Sequence, residues 1–137
     1  MIFGKAAPSK PQNRIDCLIG AGTDITGNVT FSGGLRIDGH VRGNIIAVDD
    51  KPSTVVLSEK ARVEGEIRVS HVVVNGTVVG PIIGAEYLEL QPKAVVTGDV
   101  SYRTIEIHLG AVLQGRLLHE EDARSEKVVQ FKPAAAE

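Results

Sequence analysis

The carboxylates Asp24, Asp38, Glu64, Glu66, Glu86, Glu89 and Asp99 are the residues best suited by type to general acid–base chemistry. Cleavage of a polysaccharide would need two such groups, or a carboxylate and a base, gathered at one cleft. Here they are spread along the chain at intervals that place them on successive repeats. Glu64 and Glu66 form the nearest pair, yet no further acid stands close in sequence, and catalysis is not expected. The four histidines, His40, His71, His108 and His119, lack the close spacing of a local metal motif. They read as surface or turn residues, and no metal site is assigned, although stacking of distant segments is one route by which a site could form. Cys17 is the single cysteine, which excludes an internal disulfide and a cysteine-cluster metal centre. It reads as a small apolar residue of the first structural unit. No Gly-Lys-Ser/Thr phosphate loop and no GxGxxG strand–helix signature occurs, so neither nucleotide nor any other cofactor is expected.

What positions these residues is a repeat. Apolar residues make up 42% of the 137 residues, but aromatics only 4%, so Val, Ile and Leu must fill the core, and they favour strands. An apolar-x-Gly-x-apolar phrase occurs at Ile25–Val29, Val41–Ile45, Val63–Ile67, Val78–Ile82, Val96–Val100 and Leu113–Leu117. Its glycines, at 27, 43, 65, 80, 98 and 115, recur at intervals of 16, 22, 15, 18 and 17 residues. A small residue (Gly39, Ala61, Gly76, Ala94 or Ala111) stands four positions before five of them. Between the glycines run further alternating pairs: Leu35/Ile37, Val55/Leu57, Val72/Val74, Leu88/Leu90 and Ile105/Ile107.

Alternation at period two predicts strands. A unit of about 17 residues cannot bury its own apolar face, so its neighbours must stack on it. The fold predicted is an all-β, single-domain parallel β-helix of about six rungs, roughly 25–30 Å long at roughly 4.8 Å per rung. Each glycine either makes room in a narrow interior or marks a corner. The 22-residue interval accommodates an outward loop at residues 48–53, and Pro81 belongs at a corner, where no ladder N–H is needed. A left-handed hexapeptide helix fails, because stepping by six from Val63 meets Val69, Asn75 and then Pro81. The flanks lack this periodicity, which divides the chain into 1–14, a β-helical core 15–118 and a charged tail 119–137.

A net charge of −2 gives no basic field for nucleic acid, and none is expected as a partner. No signal-peptide pattern opens the sequence and no run reaches the 18 apolar residues of a membrane span, so a cytoplasmic protein is expected.

The assembled order resembles the bactofilins, a bacterial cytoskeletal family. It runs from the apolar-basic start MIFGK through a Pro-containing linker to IDCLIGAGTDITGNVTFSGGLRIDGHVRGNI, then tandem glycine rungs and a charged tail. The resemblance covers about 105 residues, and LRIDGHVRGNI is its most characteristic stretch. It implies a right-handed β-helix and assembly into filaments, without nucleotide and without polarity, often on the inner face of the cytoplasmic membrane. It also implies a scaffold for cell shape, polarity or cell-wall enzymes, with synthases or peptidases as possible clients. The alternative is a non-polymerising β-helical module that binds proteins.

A β-helix ends in two open faces with unpaired backbone groups, which template further pairing unless blocked. The first coil offers Ile15, Leu18, Ile19 and Phe31, with Ile25 and Val29 beside them. The last offers Leu109, Leu113, Leu117 and Leu118, with Val112. The expected homotypic contact joins such faces end to end. At the amino terminus, Met1, Ile2 and Phe3 are suited to the headgroup boundary of a bilayer, and Lys5 to anionic lipid.

Overall fold

A computed structural model describes residues 15–48 and 52–120. Sixteen short strands follow one another without a helix among the described residues. They are β1 (Cys17–Ile19), β2 (Asp24–Thr26), β3 (Val29–Phe31), β4 (Gly34–Ile37), β5 (His40–Arg42), β6 (Ile45–Ala47), β7 (Thr54–Leu57) and β8 (Arg62–Glu64). There follow β9 (Ile67–Arg68), β10 (His71–Val74), β11 (Thr77–Val79), β12 (Ile82–Leu90), β13 (Val95–Thr97), β14 (Val100–Ile107), β15 (Val112–Gln114) and β16 (Leu117–His119).

Every pairing is parallel and joins a strand to its counterpart one coil away. The middle face of the coil is a six-stranded sheet in the order β15-β13-β11-β8-β5-β2, which counts six coils. A ten-stranded sheet supplies the other two faces, because β12 and β14 each run from the third face of one coil into the first face of the next. The chain is therefore an all-β parallel β-solenoid.

Inward positions stack in register. Leu35, Val55, Val72, Leu88 and Ile105 form one ladder above Cys17; Ile37, Leu57, Val74, Leu90 and Ile107 form another above Ile19. A third runs Ile25, Val41, Val63, Val78, Val96 and Leu113, and a fourth Val29, Ile45, Ile67, Ile82, Val100 and Leu117. The central members are fully buried, and each large one contributes roughly 1.5–3 kcal/mol relative to exposure. No coil could gain this alone, since each side chain meets its like mainly above and below.

The repeated glycines mark the corner between the second and third faces. Each N–H from Gly27 to Gly98 donates at 2.8–3.0 Å to the carbonyl of the residue just before the next coil's glycine. Beside this ladder, Asn28 Oδ1 accepts from Asn44 N–H, Asn44 Oδ1 from Glu66 N–H and Asp99 Oδ1 from Arg116 N–H. Pro81 stands in this corner between β11 and β12, as expected, where its missing N–H costs no strand pairing. The small residue four positions earlier lies at the corner between the first and second faces. There a Cβ on Gly76 would lie 2.3 Å from the Ser58 carbonyl oxygen.

The long interval falls between β6 and β7; residues 49–51 of that loop lie outside the described residues. Ser53 at its far end is buried, donating its N–H to Ser70 Oγ (2.9 Å) while its carbonyl accepts from the same hydroxyl (2.8 Å). The insertion thus leaves the stack intact.

Gly80 has φ of 142°, and a Cβ there would lie 2.3 Å from the Gly65 carbonyl oxygen. Gly80→Ala is expected to destabilise the fold by about 2–4 kcal/mol, from backbone strain plus overpacking. Urea unfolding checks this, and a midpoint equal to that of the unaltered chain would refute the corner assignment.

Candidate functional site

The open ends of the solenoid combine two unsatisfied features. Among the described residues, β1, β2 and β3 are paired on one side only, as are residues 104–107, β15 and β16 at the other end. Their outer backbone groups face a position where the coil repeat would place another strand. The four inward ladders also stop there, leaving apolar side chains without a ladder neighbour on one side among the described residues.

At the first coil, Cys17 is exposed at the foot of its ladder, Ile25 and Val29 are half-buried and Ile15 is exposed just before β1, while Leu18, opposite the exposed Arg36, is turned outward. Ile19 and Phe31 are buried, although Ile19 ends the second inward ladder. At the last coil the inward positions are Ile105, Ile107, Leu113 and Leu117, of which Ile107 and Leu117 are 48% and 45% exposed. Leu113 and Leu117 therefore end two of the inward ladders.

Leu109 and Leu118 do not. Leu109 is 96% exposed on the turn after β14. Leu118 lies opposite Ser101, one step from the inward Val100–Leu117 pair, and alternation turns it outward. Sequence reasoning missed Cys17, Ile105 and Ile107 as ladder termini. The signal was present in the Ile105/Ile107 pair, which is the last member of the second alternating series. Met1, Ile2, Phe3 and Lys5 lie outside the described residues, as do residues 121–137 of the charged tail.

The outer surface is laced by cross-coil polar contacts. His40 lies 3.1 Å from Glu64 Oε2 and 3.4 Å from Asp24 Oδ1, linking three coils, and Arg62 Nε pairs with Glu64 at 2.7 Å. The hydrogen bonds from Arg62 and then His40 hold the Glu64 carboxyl below its ordinary range. Arg116 and Asp99 form a similar bridge at 2.8 Å between the last two coils, which lowers the Asp99 pKa. On the first face, Tyr87 donates to Glu106 at 2.9 Å and to Glu89 at 3.4 Å, and His108 sits beside both carboxylates. Val79, Val95 and Val112 face outward on the upper half of the second face, where the lower half carries Asp24, His40, Arg42, Arg62 and Glu64. The carboxylates bridge to basic side chains or each other's partners along the stack, which is how a solvent-facing ladder manages its charge.

Comparison with known proteins places these ends in context. A family model described as "Bactofilin: Polymer-forming cytoskeletal" matches residues 17–118. The solid-state NMR structure of the cytoskeletal bactofilin BacA is similar at 33% identity and a TM-score of 0.66, over 76% of this chain and 95% of that one. No curated protein sequence matches.

Partial burial, followed by the bonds and charges of Glu106 and Glu89, pushes the Tyr87 pKa up to about 12. A raised folded-state value means that its contribution to stability is complete below the unfolded value near 10 and is lost as pH rises towards 12. Thermal unfolding should therefore show a loss of stability over that window that is smaller in Tyr87→Phe. Equal losses in the two proteins would contradict the cluster.

Proposed function

The chain belongs to the bactofilin family of polymer-forming cytoskeletal proteins, and from that membership we propose that it assembles end to end into filaments. The observation that carries the proposal is the pair of coil ends at which backbone edges and inward apolar ladders stop together. Stacking one end on another extends both the hydrogen-bonded edge and the core in a single contact. Such stacking needs no nucleotide, since its driving force is burial of Ile, Leu and Val side chains.

The contact is proposed to join like ends, first coil to first coil and last coil to last coil. Such contacts are self-complementary and give a filament without polarity. In them a two-fold axis sets the edge strands of one copy antiparallel to edge strands of the other, an arrangement that also pairs their backbone groups.

The filament is proposed to lie on the inner face of the cytoplasmic membrane, held by Met1, Ile2, Phe3 and Lys5. One such segment binds weakly and reversibly, at about 1 kcal/mol for each basic residue near anionic lipid. A filament displays many copies, and their avidity makes attachment firm. As a non-catalytic scaffold it would organise cell shape, polarity or cell-wall enzymes.

Leu117→Asp places a charge in the proposed contact and should raise the critical concentration for assembly at least about tenfold. Leu118→Asp, which faces outward, should do much less. Sedimentation and negative-stain electron microscopy in nucleotide-free buffer read both. Filaments of Leu117→Asp at the unaltered concentration would remove this end from the account. A sharp monomer of the unaltered chain at high concentration would assign it instead to the non-polymerising binding modules.

Deleting residues 2–5 should turn a membrane-bound fluorescent fusion diffuse while leaving filaments intact in vitro. Retained membrane localisation would count against the anchor.

A further inference from the structure

On the first face, two coils bring Glu89 to the pair Glu106 and His108, which stand two residues apart in sequence. Glu89 belongs to β12, Glu106 to β14, and His108 follows directly after β14. One donor atom from each lies within 4.8 Å of the others. His108 Nε2 stands 3.1 Å from Glu89 Oε2 and 3.2 Å from Glu106 Oε2. That nitrogen is buried although the ring's outer edge is exposed, and it has no hydrogen-bond partner among the described residues. It is thus at ion-pairing distance from two carboxylates without hydrogen-bond geometry to either.

We propose that Glu89, Glu106 and His108 bind a divalent transition-metal cation of the zinc class. Tetrahedral bonds of about 2.0–2.1 Å place donor atoms about 3.3 Å apart, close to both separations from Nε2. One imidazole nitrogen with two carboxylate oxygens favours a borderline cation over calcium or magnesium, which take oxygen donors. Three protein donors leave the fourth position to water, and the half-exposed Glu106 supplies the open side.

The surrounding bonds hold the donors in place. Tyr87 donates to an oxygen of each carboxylate, and Gln91 Nε2 donates to Glu89 Oε2 at 3.2 Å. The His108 backbone N–H donates to the Leu90 carbonyl at 2.9 Å, and its backbone carbonyl accepts from Ala111 N–H at 3.2 Å. Such supporting bonds orient ligands and raise affinity. A bound cation would fasten the last coil to the one beneath it.

The test uses the full chain, stripped with a chelator and titrated with zinc against a chromogenic competitor, with cobalt spectra to report coordination. One equivalent should bind, and His108→Ala and Glu106→Gln should each weaken binding at least tenfold, while His40→Ala leaves it unchanged. Far-UV circular dichroism checks the fold; if His108→Ala is misfolded, the isosteric Glu106→Gln decides. Failure of the unaltered chain to bind zinc, or unchanged affinity in a folded Glu106→Gln or His108→Ala protein, would overturn the proposal and leave the cluster as an ion pair.

Discussion

Stacking of like on like at the spacing of paired strands is the constraint from which everything else follows. One coil of about 17 residues encloses too little volume to bury even its own inward side chains. Val63 is dry only because Val41 lies on one side of it and Val78 on the other. The interior is therefore a set of apolar columns rather than a globular core, and its stability grows with the number of contacts between coils. Columns have ends, and those ends carry the same unsatisfied chemistry that every interior contact resolves. In the proposed end-to-end assembly, this folding rule is applied between molecules.

The corners and the outer surface serve the same rule. Close stacking at the second corner leaves no room for a Cβ on Gly43, Gly65, Gly80, Gly98 or Gly115, each of which would press on the carbonyl of the glycine beneath. The Asn28, Asn44 and Asp99 side chains accept neighbouring N–H groups that the turn would otherwise leave to solvent. Outside, stacking like on like would set equal charges one above another, so the surface mixes its signs. Asp24, His40 and Arg62 stand in one column, and Arg42 and Glu64 in the next. Where two acids do coincide, at Glu89 and Glu106, Tyr87 and His108 are set against them.

Much of this was legible in the sequence, because in a solenoid the repeat and the register are the same information. The six glycine phrases gave the coils, the alternating pairs between them gave two more ladders, and Pro81 gave a corner. The end faces were less legible. Leu109 and Leu118 are as apolar as Leu117, but one sits on a turn and the other on the outward side of β16. Direction along a strand of three residues depends on register with the coil below, which Val100 opposite Leu117 supplies. The Glu89–Glu106–His108 cluster was invisible for a related reason. Glu106 and His108 are two residues apart, but Glu89 lies a whole coil earlier, and only its pairing with Glu106 brings the three together.

In the proposed filament the coil ends, not the outer faces, form the contact between subunits. Amide hydrogen exchange, compared between assembled protein and its dissociated form, tests this directly. Amides of β1, β2, β3, β15, β16 and residues 104–107 should become protected on assembly, while those of β8 and β11 in the middle of the stack stay as they were. End strands that exchange equally fast in both forms would contradict it, above all if new protection appeared on the central coils instead.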